Sequence, residues 1–167
     1  MNEYIAWLLE RYGRERLFVD TNILLLLVVG SYDRSLISRF KRTVMYTEED
    51  YDLAAAFVDR FEHLVTTPSV LTEVSNLAGQ LGSGAREQCF AFYARFIQLL
   101  QEQHIPSVTL AGLTDFPRFG LTDSGVLQLA RSEMIVLTDD LRLSHHMEQQ
   151  ALPVLNFTHL RAPNLLR

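Results

Sequence analysis

Apolar positions recur along the chain with two periods, and the switches between them predict a succession of helices and strands. Ile5, Leu8, Leu9 and Tyr12 fall at helical spacing and Gly13 supplies a stop, which predicts a short leading helix over residues 3–12. Residues 16–20, Arg-Leu-Phe-Val-Asp, read as a brief buried strand, followed by Thr21-Asn22 as turn or helix-cap chemistry. The run 23–29 is apolar throughout and predicts a helix packed deep against a sheet. Thr47 is placed to cap a helix carrying Leu53, Ala54, Phe57, Val58 and Phe61. Residues 63–66 are the next strand, and Thr67-Pro68 opens a helix towards Gly82, since proline is tolerated at a first helical position.

In that helix Val70, Val74, Leu77 and Leu81 form an apolar stripe, and Glu73 falls beside it at the rim of the core. Residues 86–103 predict a long aromatic helix through Phe90, Tyr93, Phe96, Ile97 and Leu100, and residues 106–110 a short strand or extended connection. Asp123 opens the helical pattern of Val126, Leu127, Leu129 and Ala130, and residues 134–137 are an unbroken apolar strand of the parallel-sheet kind. Residues 143–150 read as a helix and 153–157 as a last strand; the tail to Arg167 shows no pattern. Strands alternating with helices predict an α/β sandwich with a mostly parallel sheet. The length of 167 residues fits one domain, 1–167, with the leading helix at 1–13.

A composition of 48% hydrophobic and 21% charged residues is that of a folded chain. The apolar run 23–29 is far below the roughly 20 residues a bilayer span needs, so no membrane partner is expected. The N-terminus lacks the basic region and cleavage site of a signal peptide, which makes a cytoplasmic location the expectation. Cys89, the single cysteine, has no disulfide partner and sits among Phe90, Tyr93 and Phe96 as a core residue. A formal charge of -5 argues against a broad positive surface for nucleic acid. Setting aside Asp20, Glu73, Asp123 and Asp140 leaves the chain nearly neutral, so the imbalance is local if those acids meet.

Ligands of open α/β sheets bind beyond the carboxyl ends of the strands. Asp20 ends the first strand, Asp139 and Asp140 end the strand at 134–137, Asp123 starts a helix, and Glu73 lies one to two turns into the helix after the second strand. Taken singly, Asp123 complements a helix N-terminus, Glu73 is a solvated helix residue and Asp139 and Asp140 are turn acids. Asp20, between a buried strand and an apolar run, must find partners. Taken together the acids repel one another unless cations or protons enter, and magnesium or manganese, which prefer oxygen ligands, are the natural occupants.

Leu17-Phe18-Val19-Asp20-Thr21-Asn22 resembles the opening strand of PIN-domain proteins. Residues 67–74, Thr-Pro-Ser-Val-Leu-Thr-Glu-Val, resemble the second motif of that family, Leu121-Thr122-Asp123-Ser124 the third, and residues 136–141, Val-Leu-Thr-Asp-Asp-Leu, the fourth. The match runs over about residues 16–158. The resemblance implies a three-layer α/β/α fold and a Mg2+- or Mn2+-dependent ribonuclease, many bacterial relatives being toxins of the VapC type with a cognate antitoxin. It makes Asp20, Glu73 and Asp123 metal-site acids, and Asp140 matches the acid two residues beyond the threonine.

Adjacent extended residues face opposite ways, which favours Asp140 over Asp139 as the ligand. Thr21, Asn22 and Thr138 are expected to orient the acids, and Arg34, Arg39, Lys41 and Arg42 to guide RNA. His145 and His146 are given surface or packing roles, and Trp7 on the leading helix packs into the core or a homodimer. The stretch from Asp20 to Glu73 is longer than in compact toxins, with extra sequence around residues 30–51. Two rivals stand beside the nuclease: a non-catalytic PIN-like RNA-binding or protein-docking module, and a phosphatase with Asp20 as nucleophile. The second lacks the usual acid two residues after Asp20.

Overall fold

A computed structural model describes residues 3–161 of the chain. Five strands, β1 (Arg16–Val19), β2 (His63–Thr66), β3 (Gln101–Glu102), β4 (Ile135–Thr138) and β5 (Val154–Asn156), form one sheet in the order β3-β2-β1-β4-β5. Every pairing is parallel, with Phe18 of β1 opposite Val65 of β2 and Val136 of β4. Such strands need crossover connections and apolar residues on both faces, which Leu17, Phe18, Val19 and the fully buried β4 provide.

Helices flank the sheet as a three-layer α/β/α sandwich. The leading helix α1 (Glu3–Tyr12) buries Ile5, Leu8 and Leu9 and ties to the edge strand β5 through Tyr4, whose hydroxyl donates to the Val154 carbonyl at 2.8 Å. Trp7 does not join the core: it is 50% exposed and stacks on Tyr4. The helix α2 (Thr21–Tyr32) is buried on all sides from Ile23 to Gly30 and packs against α3 (Glu48–Val58), α4 (Pro68–Ala78) and α5 (Ser83–Ile97). Glycine at position 30 lets α3 approach: a Cβ there would lie 2.3 Å from the Tyr51 ring. A capping box between Thr47 and Asp50 starts α3.

The chain then crosses back under α6 (Ser107–Ala111) and α7 (Phe116–Ala130), enters β4, and finishes through α8 (Leu141–Gln149), β5 and α9 (Phe157–Arg161). Two expectations are corrected. The aromatic helix stops at Ile97 instead of reaching residue 103, because Gln101 and Glu102 pair with Val65 and Thr66 as the edge strand β3. Residues 107–110 are helical, not extended: Pro106 precedes α6, which packs on α7. The alternating apolar pattern there is overridden by tertiary contact.

Cys89 is buried. Among the described residues no helix is long and apolar enough to cross a membrane. The unpatterned tail from residue 162 onwards lies outside the described residues.

Candidate functional site

The sheet grows from β1 outward to β2 and β3, and the chain then returns to lay β4 and β5 on the other side of β1. The boundary between β1 and β4 is therefore the topological switch point, where connections leave in opposite directions and open a crevice at the carboxyl ends of the strands. Asp20 follows β1 directly and Asp139 and Asp140 follow β4, so both sides of the switch point end in acids. The Asp20 amide still donates to the Leu137 carbonyl at 3.0 Å, which pins its backbone to β4.

Asp20 caps α2, accepting from the Thr21 amide at 2.7 Å and, on its other oxygen, from the Thr138 hydroxyl at 2.5 Å. Thr21 faces the other way and donates its hydroxyl to Glu73 at 2.7 Å, while Thr122 donates to the second Glu73 oxygen at 2.6 Å. Glu73 is thus held between α2 and α7 by two hydroxyls. Asp139 is held by the Asn22 amide at 3.1 Å and by the hydroxyl of Tyr46. Asp140 caps α8, accepting from the amides of Arg142 and Leu143 at 2.7 and 2.9 Å, and its own amide donates to Thr138.

Asp123 differs from the rest. It lies one turn past Gly120, where φ of 72° and ψ of -166° break α7 into two helical pieces. No hydrogen bond to another described residue holds its carboxyl. Burial, then the charges of Asp20, Asp140 and Glu73, push it up to about 7, against the opposing charge of Arg142. Burial also lifts Asp20 to about 6, with Asp139 and Glu73 adding to the rise and the hydrogen bonds from Thr138 and Thr21 resisting it. Tyr46 is likewise raised, by burial first and then by Asp139, which keeps its hydroxyl a donor.

All five acids named from the sequence thus meet at one edge of the sheet, where their charges act on one another. Thr21, Asn22 and Thr138 each hold an acid, although Thr21 directs its hydroxyl to Glu73 and Asn22 turns to Asp139. Of the basic stretch, Lys41 is exposed and the three arginines have partners nearby. Arg34 pairs with Glu48 and Asp52, Arg39 folds onto Ser35, and Arg42 donates to Gln80. His146 packs on Phe119 and pairs with Asp115 at 3.0 Å; His145 is exposed.

Three residues near the acids were not singled out by sequence: Tyr46, Thr122 and Arg142. Thr122 adjoins a motif acid, and Tyr46 is an isolated aromatic that turns out to be buried within the inserted stretch. Arg142 follows Asp140 by two positions, and nothing in the pattern set it apart from a solvated helix residue.

The donor set is hard oxygen, and hydroxyl and amide donors keep its carboxylates oriented, which suits magnesium or manganese. Among the described residues, however, no three or more of His, Cys, Asp and Glu close around a single point as ligands. The set fits a cation that keeps most of its waters and touches one or two carboxylates, as magnesium commonly does. Fold and site together define an α/β/α protein with a group of carboxylates at its switch point. The chain matches no protein-family model and no curated protein.

Proposed function

We propose that the protein is a divalent-metal-dependent endoribonuclease of the PIN type, with Mg2+ or Mn2+ as cofactor and RNA as substrate. The observation that carries the reading is Asp123, whose carboxyl no described residue holds by a hydrogen bond and which burial and the charges of Asp20, Asp140 and Glu73 push up to about 7. Such repulsion is relieved by a cation. Asp20, Glu73, Asp123 and Asp140, with Asp139 beside them, would hold it, one or two of them directly and the others through its waters. When bound, a divalent ion lowers the pKa of a water and offsets charge on a phosphodiester.

The chain's own groups do the positioning. Thr138 and the Thr21 amide fix Asp20, Thr21 and Thr122 fix Glu73, and Tyr46 and Asn22 fix Asp139. The expected products carry a 5′-phosphate and a 3′-hydroxyl. Asp20→Asn, with its circular dichroism unchanged, is expected to lose RNA cleavage by at least a hundredfold; retained metal-dependent cleavage in that variant would sink the assignment. On the toxin form of this reading, expression of the chain arrests growth and a small DNA-binding partner encoded in the adjoining reading frame relieves the arrest.

A second reading, a non-catalytic RNA-binding or docking module, is favoured by one observation, the lack among the described residues of a closed three-ligand grouping. Calorimetric titration with manganese followed by a cleavage assay separates the two. Metal binding without turnover selects the module.

A further inference from the structure

Two cations and a ring cluster where the start of α8 meets the first piece of α7. Arg118 and Arg142 both lie over the Phe119 ring, each guanidinium carbon 4.9 Å from its centroid. The two arginines are exposed and Phe119 is partly buried. Arg142 also donates to the Arg118 carbonyl, which ties the start of α8 to the first piece of α7. Behind them His146 packs against Phe119 with ring centroids 4.7 Å apart, and Asp115 anchors His146 at 3.0 Å and Arg131 at 2.7 Å. The ring is backed by a paired network, and both guanidinium groups rest against it.

The cluster neighbours the acids. Arg142 stands two residues after Asp140, and its charge acts on Asp123. Phe119 precedes Asp123 across the break at Gly120. By contrast Arg34, Arg39 and Arg42 spend their guanidinium groups on Glu48, Asp52, Ser35 and Gln80.

We infer that Arg118, Phe119 and Arg142 form a landing platform for single-stranded RNA, in which the two guanidinium forks receive consecutive phosphates and their flat faces, set by the ring, stack with a base. A planar guanidinium presents donors matched to phosphate oxygens and stacks on aromatic planes, which an ammonium does not. Cation–π contact with Phe119 holds both in register before RNA arrives. Recognition is through phosphate and stacking and carries no base sequence. The inference takes its ligand from the nuclease reading, but it concerns binding and stands or falls by a separate measurement.

The probe is a fluorescently labelled oligouridylate, titrated by polarisation in calcium buffer at several salt concentrations. The double variant Arg118→Ala/Arg142→Ala is expected to bind at least tenfold more weakly, with the salt slope reduced by about 1.4 for two lost phosphate contacts on a single strand. Phe119→Leu, which keeps bulk and loses the ring, is expected to weaken binding about fivefold with a nearly unchanged slope. The triple variant Arg39→Ala/Lys41→Ala/Arg42→Ala is expected to keep most of the slope. Thermal melts establish that each variant is folded.

A wild-type affinity and slope preserved in folded Arg118→Ala/Arg142→Ala overturns the platform, whatever the cleavage assay shows. So does a loss of slope confined to the triple variant. Binding that depends on Arg118 and Arg142 without any metal-dependent cleavage upholds the platform and removes the nuclease reading.

Discussion

At Asp123 burial and the charges of Asp20, Asp140 and Glu73 act in one direction, and the carboxyl rises to about 7 against an ordinary 3.8. A carboxylate raised in the folded state binds a proton that the unfolded chain has already released, so its stability contribution is present at low pH and lost as pH climbs. The window runs from about 4 to about 7 for Asp123, and Asp20 adds to it up to about 6. Metal-free protein is therefore expected to be less stable at pH 8 than at pH 5. Asp123→Asn removes the larger share. Because the side chain is partly reached by solvent, the gain at pH 8 is put at about 1–2 kcal/mol, with little at pH 5. Urea melts in EDTA at both pH values measure it, and an Asp123→Asn protein no more stable than wild type at pH 8 would contradict the electrostatic picture. Asp20, Asp139 and Asp140 were readable from sequence because each follows a strand, whereas Glu73 and Asp123 lie inside α4 and α7 and were readable from the motifs around them. Tyr46 was not, since the partner that makes it matter, Asp139, lies 93 residues away and nothing in the irregular stretch announces the contact.

Elements with a dense apolar signal were legible: β1 and β4 are short runs rich in buried aliphatic and aromatic residues, and α2 is apolar along nearly its whole length because other elements cover it. β3 was hidden because it is two polar residues at an edge, needing only backbone groups to pair with β2. α6 was misread because five residues carry too few periods to separate helix from strand. The break in α7 matters most for the site. Gly120 occupies a region of φ and ψ that is essentially closed to residues with a Cβ. Nothing lies within 4 Å of a Cβ built there, so the cost of substitution is backbone strain alone. Gly120→Ala is expected to lose about 1–3 kcal/mol of stability, read as a lower urea midpoint at unchanged slope. If the strain is instead relieved by straightening α7, Asp123 moves from the other acids and the fall in stability between pH 5 and pH 8 shrinks; a variant matching wild type in both respects would show that the break does not set the site.

On the scale of the molecule, the sequence pattern implied a parallel sheet but not its strand order, because periodicity carries no information about which strands are neighbours. The order makes β1 and β4 adjacent at the switch point and so brings residues 20 and 140 to the same edge. A sheet built in simple succession would leave them apart. The fold thus concentrates negative charge at a single edge, and a folded-state ligand that relieves it must stabilise the whole chain by linkage. At a free concentration of about 100 times its dissociation constant, a divalent cation adds about 2.7 kcal/mol, which for a chain of this size corresponds to roughly 5–11 °C in Tm. Binding competes with protons on Asp123 and Asp20, so the shift is expected to be larger at pH 8 than at pH 5, the reverse of the metal-free trend. Manganese and magnesium should both produce it, sodium at equal ionic strength should not, and Asp20→Asn should reduce it by more than half. Differential scanning fluorimetry at the two pH values reads every arm. A Tm indifferent to both divalent cations at pH 8 would mean that the acids at the switch point serve capping and hydrogen bonding alone.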